Sequence, residues 1–230
     1  TLRNIMRLSL FLLLFGISFA YAELPSPRFD RLTPLGGAVG STVEVDVAGS
    51  DLEEPTLYFE QAGLKAELIK ERKFKITIAA NVPAGTYDVR VVGKYGISNP
   101  RLFAVSQGLT EVAEKEPNDE PMTAQPVALN SVVNGSSDNN REDVFRVALK
   151  KGQRVVFECR AGCLDSPLDG ILSLTDATGK LLASNGDYKG RDPLLDYIAD
   201  QDGEYYVSMA DLSFRGGHPY RLHISTQPLA

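Results

Sequence analysis

The chain is predicted to be all-β, folded as two tandem β-sandwiches, and three observations carry that prediction. Apolar and polar residues alternate with period two in one segment after another. Turns rich in Gly, Pro, Asp and Asn separate these segments at short intervals. No stretch of any length shows the 3.6-residue periodicity of an amphipathic helix.

The N-terminal segment is read first as an export signal. Arg3 and Arg7 precede a short apolar run, Leu8 to Ala20, closed by Ala20-Tyr21-Ala22, the small-x-small pattern of a secretory cleavage site. The run is shorter than the roughly 20 residues of a membrane span. Residues 1–22 are therefore expected to be a signal peptide cut after Ala22. The mature chain is then expected outside the cytoplasm, either secreted, periplasmic or at the cell surface, with no membrane span.

In the next region Thr42 to Val47 alternates Val43, Val45 and Val47 with Thr42, Glu44 and Asp46, and Lys73 to Ile78 alternates Phe74, Ile76 and Ile78 with Lys73, Lys75 and Thr77. Such alternation marks antiparallel strands buried on one face. Thr56 to Phe59, Lys65 to Ile69, Thr86 to Val92 and Leu102 to Val105 complete a small β-sandwich over 23–106. The polar stretch 107–116, with Gly108 and Pro117 at its margins, reads as a linker. Strands resume with Val144 to Leu149, Arg154 to Arg160, Ile171 to Thr175, Leu181 to Ser184, Leu195 to Ala199, Glu204 to Ala210 and Tyr220 to Ser225, giving a second sandwich over 114–230.

Charge and motif content exclude several function classes. Removing 1–22 takes away two of the 24 basic residues and none of the 30 acidic ones, leaving a net charge of −8, the wrong sign for a nucleic-acid binder. Two cysteines and two histidines fit no zinc spacing. No nucleophile elbow, H-E-x-x-H helix or phosphate-binding loop occurs, so the chain is expected to be non-catalytic. Cys159 and Cys163 would enter an oxidising compartment, and C-R-A-G-C spacing leaves two readings open: a disulfide around a turn, or two thiols, since Cys159 falls on the apolar face of its strand. His223 alternates with Arg221 and Ser225 on the presumed outer face of the last strand and is expected at the surface. Tyr206 points away from Tyr205, Val207 and Met209, and an outward tyrosine suits stacking on an extended peptide or glycan as well as ordinary cross-strand packing.

The densest chemistry is Glu114-Lys115-Glu116-Pro117-Asn118-Asp119, followed by Asp138, Asn140 and Asp143. In an extended segment Glu114 and Glu116 point to the same side. Pro117 keeps Glu116 out of the helical region. Hard cations such as Ca²⁺ take six to eight oxygen ligands, which these side chains offer; a solvated polar turn is the alternative.

The second half, about 114–226, resembles the bacterial pre-peptidase C-terminal domain, which implies a jelly-roll-like sandwich there. The resemblance rests on Glu116-Pro117-Asn118-Asp119, Ala124, Asn134-Gly135, Asp143-Val144-Phe145, Lys151-Gly152, Ser166-Pro167-Leu168-Asp169 before Ile171-Leu172, Asp176 to Gly179, Asp202-Gly203-Glu204-Tyr205-Tyr206-Val207 and Tyr220-Arg221-Leu222, in that order. The first half is similar to IPT/TIG-like immunoglobulin sandwiches through Leu32 to Gly37, Gly40 to Val43, Gly49 to Leu52, Val82 to Val89 and Ser98-Asn99. The first of these resemblances implies calcium at an acidic N-terminal segment, here Glu114, Glu116, Asn118 and Asp119, with Asp143 as the carboxylate before the aromatic strand residue. Arg141 stands where many members carry an aspartate, so Asp138 or the Asn140 carbonyl would complete the set. Together they imply an exported, non-catalytic binding or spacer module for an extracellular polymer or protein, or else an accessory region of a secreted peptidase or hydrolase whose catalytic domain is absent from this chain.

Overall fold

A computed structural model describes residues 24–226, and the expected signal segment lies outside the described residues. The first sandwich is formed by β1 (Arg28–Thr33), β2 (Gly36–Ala38), β3 (Thr42–Ser50), β4 (Thr56–Phe59), β5 (Leu64–Lys70), β6 (Lys73–Ile78), β7 (Gly85–Gly93), β8 (Gly96–Ile97) and β9 (Arg101–Ser106). One sheet runs β1-β3-β6-β5 and the other β2-β9-β7-β4, with β8 turned back on β7. The alternation seen in β3 and β6 places Val45, Val47, Phe74, Ile76 and Ile78 in a buried core facing Val89, Val91 and Phe103.

The second sandwich comprises β10 (Thr110–Ala113), β11 (Gln125–Pro126), β12 (Ser131–Ser136), β13 (Glu142–Leu149), β14 (Arg154–Arg160), β15 (Gly170–Asp176), β16 (Leu181–Asn185), β17 (Leu194–Ile198), β18 (Gly203–Asp211) and β19 (Pro219–Ser225), with a short 3₁₀ turn at Gly162–Leu164. Its sheets are β10-β12-β19-β14-β17 and β11-β13-β18-β15-β16. Its separate core includes Phe145, Phe157, Leu172, Tyr205, Leu222 and Ile224. Among the described residues no helix is long and apolar enough to cross a membrane.

The structure corrects the reading of 107–116 as a linker. Thr110–Ala113 is a strand of the second sandwich, paired in parallel with β12, so that Thr110 faces Ser131, which in turn faces Ile224 of β19. Val112 packs against the core of that sandwich. One apolar side chain there outweighs the polarity of its neighbours.

The surface position expected for His223 is also corrected. Alternation does place it on the outer face of β19, but every residue of β19 is buried, and His223 is 4% exposed. Its outer face is covered by the first sandwich: Ala84, Gly85, Ala104 and Val105 line a cavity with Arg160, Arg221 and His223. A Cβ on Gly36 would lie 2.7 Å from Arg221 Nη1 and 2.1 Å from the Ala104 carbonyl oxygen, so the close approach requires glycine. Leu35, Leu102 and Ala104 meet Leu164 in a small apolar cluster between the sandwiches, and Arg31 Nη1 donates to the Gly217 carbonyl at 3.0 Å.

The disulfide reading fails as well: Cys159 and Cys163 are free thiols. Cys159 is locked into the core by strand alternation, whereas Cys163 sits in the 3₁₀ turn and faces out. The turn is held instead by Asp192, whose carboxylate accepts the backbone N–H groups of Ala161, Gly162 and Cys163 at 3.1, 2.6 and 2.8 Å.

Candidate metal centre

The chain leaving β10 carries the acidic segment across the end of the sandwich. The Glu114 N–H extends the β10–β12 ladder by donating to the Asn134 carbonyl at 3.1 Å. Its carboxylate accepts the Ser136 N–H at 2.8 Å and the Tyr220 hydroxyl. Gly135 makes room for this arrangement, since a Cβ there would lie 2.4 Å from the Tyr220 ring. Gln125 fixes the next residue, accepting the Lys115 N–H at 2.8 Å and donating to the Ala113 carbonyl at 3.0 Å. Asn118 is fully buried, and its carbonyl accepts the Val144 N–H at 2.8 Å, which pins the segment to β13 beside Asp143.

Two groups of carboxylates result, each with its ligand atoms within 4.8 Å of one another: Glu114, Glu116 and Asp143; and Glu116, Asp119 and Asp138. Glu116 belongs to both. Asp143 is 0% exposed, and neither of its oxygens makes a well-formed hydrogen bond, although the Tyr220 hydroxyl taken by Glu114 also acts on it. Burial, and then the charges of Glu114, Glu116 and Asp138, push its carboxyl up to about 9. Burial also raises Glu114, against the opposing hydrogen bond from Tyr220, and it raises Glu116. The Asn118 amide places its nitrogen 3.4 Å from Glu114, and turning it over would instead bring the nitrogen within 2.9 Å of Glu116. One amide cannot donate in both directions, so one carboxylate always meets its oxygen.

Such a set is electrostatically unfinished. Two carboxylates 4.8 Å apart repel by about 3 kcal/mol at an effective dielectric constant of 20. A buried carboxylate without a well-formed hydrogen bond adds a desolvation cost. The donors are all oxygens and carry several negative charges, which fits a hard divalent cation and not a thiolate-seeking metal.

Of the residues singled out from sequence, Glu114, Glu116, Asn118, Asp119, Asp138 and Asp143 are brought together. Asn140 is exposed, in the left-handed conformation at φ 57°, in the turn before β13. Arg141 pairs with Asp119 Oδ2, while Asp119 Oδ1 is buried without a partner. Tyr220 was missed as a site residue. The signal was available, because a tyrosine on the core face of a strand needs a partner for its hydroxyl. Tyr206 is half-buried on β18, opposite Arg146 and Thr175, in a shallow depression of about 460 Å³ that also includes Met122 and Asp176.

No protein-family model matches the chain. Over 106 residues it is 28% identical to a probable subtilase-type serine protease of Deinococcus radiodurans, an alignment covering 44% of this chain and 15% of that protein. The chain thus spans a small part of that relative's length. Among solved structures, the pre-peptidase C-terminal domain of a Bacillus anthracis collagenase aligns with a TM-score of 0.39 and 17% identity, over 46% of this chain and 99% of that one. SGBP-B from a complex xyloglucan utilization locus in Bacteroides uniformis aligns with a TM-score of 0.29 and 12% identity, over 87% and 71% of the two chains.

Proposed function

We propose that this chain is an exported, non-catalytic pair of β-sandwich modules, stabilised by calcium at the acidic segment, that binds or spaces an extracellular polymer or protein. The observation that carries calcium is Asp143, a wholly buried carboxylate that shares with Glu114 the single Tyr220 hydroxyl and has no well-formed hydrogen bond at either oxygen, converging with Glu114 and Glu116. Glu114, Glu116, Asp119, Asp138, Asp143 and the Asn118 amide would hold the ion. When bound it supplies charge neutralisation and ordering. The protein's part is to keep the oxygens converged through Tyr220, Ser136 and Gln125.

A second reading, an accessory region of a secreted peptidase, is favoured by the partial similarity to a subtilase-type protease. The reading frame downstream of Ala230 separates the two, because only this second reading expects a catalytic domain there.

Calcium is tested by melting the protein in millimolar calcium and in chelator. A ligand at a hundredfold excess over Kd stabilises by about 2.7 kcal/mol, so the melting temperature should rise with calcium. Asp143→Ala should abolish the rise and Asp165→Ala should leave it. Equal melting temperatures in the two buffers, with no heat on titration, would leave the segment as a polar turn.

A further inference from the structure

A second polar site lies away from the acidic one, where the first sandwich covers the outer face of β19. It is a cavity of about 360 Å³, within the size range of small-molecule sites, lined on its polar side by Ser106, Gln107, Arg160, Arg221 and His223. The β14–β19 register sets Arg160 directly opposite Arg221. Like charges facing each other across a ladder are unfavourable. The lining holds two guanidinium groups and no carboxylate.

The two arginines are not equivalent. Arg221 is wholly buried and engaged, with Nη2 2.6 Å from Glu111 and Nη1 2.7 Å from Asn134, while its Nε has no partner. Arg160 is half-buried and lies within salt-bridge distance of no carboxylate among the described residues; its guanidinium meets the Cys163 thiol, and its charge acts from farther off on Glu158, the residue opposite His223 in the ladder. Beside them His223 has both ring nitrogens without a partner. Burial and the two arginines hold its imidazole well below its ordinary pKa, so it is neutral and offers one N–H. Gln107 is exposed at the rim.

We propose that this interdomain cavity binds the oxyanion group of a small molecule, a carboxylate, phosphate or sulfate, with Arg160 as its charge partner and His223 and Gln107 as hydrogen-bond donors. A guanidinium suits this role because its fork matches two oxygens at once. Both sandwiches wall the cavity, so an occupant would favour their docked arrangement.

The test is calorimetric titration of the full chain, in calcium and again in chelator, with phosphate, sulfate, glucuronate and glucose. At least one of the three anions is expected to saturate a single site in both buffers, and neutral glucose is expected not to bind. Comparison of glucuronate with the inorganic ions then separates a carboxylate source from a phosphate or sulfate source. Arg160→Gln should weaken binding at least tenfold, Arg160→Lys should weaken it less, and Asp143→Ala should leave it unchanged, which keeps the result independent of the calcium site. Melting curves confirm that each variant is folded. The proposal is overturned if no anion binds at millimolar concentration, if glucose binds equally well, or if folded Arg160→Gln binds as the parent does.

Discussion

Arg221 of β19 and Glu111 of β10 meet at 2.6 Å, and the same Glu111 carboxylate takes the Ser106 hydroxyl at the end of β9. One acidic side chain therefore connects the last strand of the first sandwich to the most buried cation of the second. Arg221 is 0% exposed, so its charge depends on that partner and on Asn134.

Removing Glu111 should consequently be costly. Glu111→Ala is expected to lower stability by about 3 kcal/mol, the scale for stranding a buried charge, measured by urea unfolding. Glu44→Ala, whose side chain is mostly exposed 3.9 Å from Lys73, should cost under about 1 kcal/mol. Equal costs would mean that Asn134 alone satisfies Arg221.

The same contact predicts where the second sandwich can be cut. A fragment spanning 112–230 discards Thr110 and Glu111, half of β10, whereas one spanning 107–230 retains them. The longer fragment should unfold at higher urea concentration. A shared midpoint would show that β10 contributes nothing to the second sandwich.

Both cysteines should be chemically quiet. Burial pushes the Cys159 thiol well up, and burial and then Asp192 push Cys163 up to about 11, so little thiolate exists near neutrality. Intact mass under non-reducing conditions should show two free thiols. A thiol reagent at pH 7.5 should label Cys163 slowly and Cys159 only on unfolding. A mass two units lower would establish the disulfide instead.

His223 gives a pH dependence whose sign follows from its burial. Its folded pKa is depressed, while its unfolded value is near 6.5. Its contribution is therefore complete above about 6.5 and declines below it, as the unfolded chain takes up a proton that the folded chain does not, with a limiting slope of about 1.4 kcal/mol per pH unit. The stability difference between parent and His223→Gln, followed from pH 7.5 to 5, should shift steadily against the parent. A difference independent of pH would mean that His223 titrates normally.

Asp143→Asn separates a binding role from a purely structural one. It keeps the shape and removes a carboxyl that, raised to about 9, must take up a proton on folding at neutral pH, so in chelator it should stabilise the protein by on the order of 2 kcal/mol. The same variant should lose the calcium response. Destabilisation in chelator would mean that the Asp143 carboxyl is itself needed for folding.

How much was legible in the sequence varies along the chain. In β3 and β6, Val45, Val47, Phe74 and Ile76 alternate against charged residues, and the structure has those strands. β1, β2, β8, β10, β11 and β12 were not read, because several have only two to four residues and Ser131–Ser136 carries a Gly and an Asn that imitate a turn. His223 shows the limit most clearly. Alternation correctly placed it on the outer face, but alternation does not report what lies over that face. At the acidic segment the clustering of Glu114, Glu116, Asn118 and Asp119 was visible because the residues are adjacent; Tyr220, 106 residues away from Glu114, enters only through the pairing of β12 with β19.

The register of Thr110 with Ser131 and of Ser131 with Ile224 puts the entrance and the exit of the second sandwich at the same end of one sheet, two strand spacings or about 10 Å apart. The polypeptide goes in and comes back out through neighbouring doors. A module connected in this way hangs beside the path of the chain like a bead on a short loop and lengthens that path by little more than the gap between the doors. Tension along the backbone would then act across the mouth of the sheet and open β10 from β12 one rung at a time, beginning at Thr110, instead of stretching the sandwich along its strands.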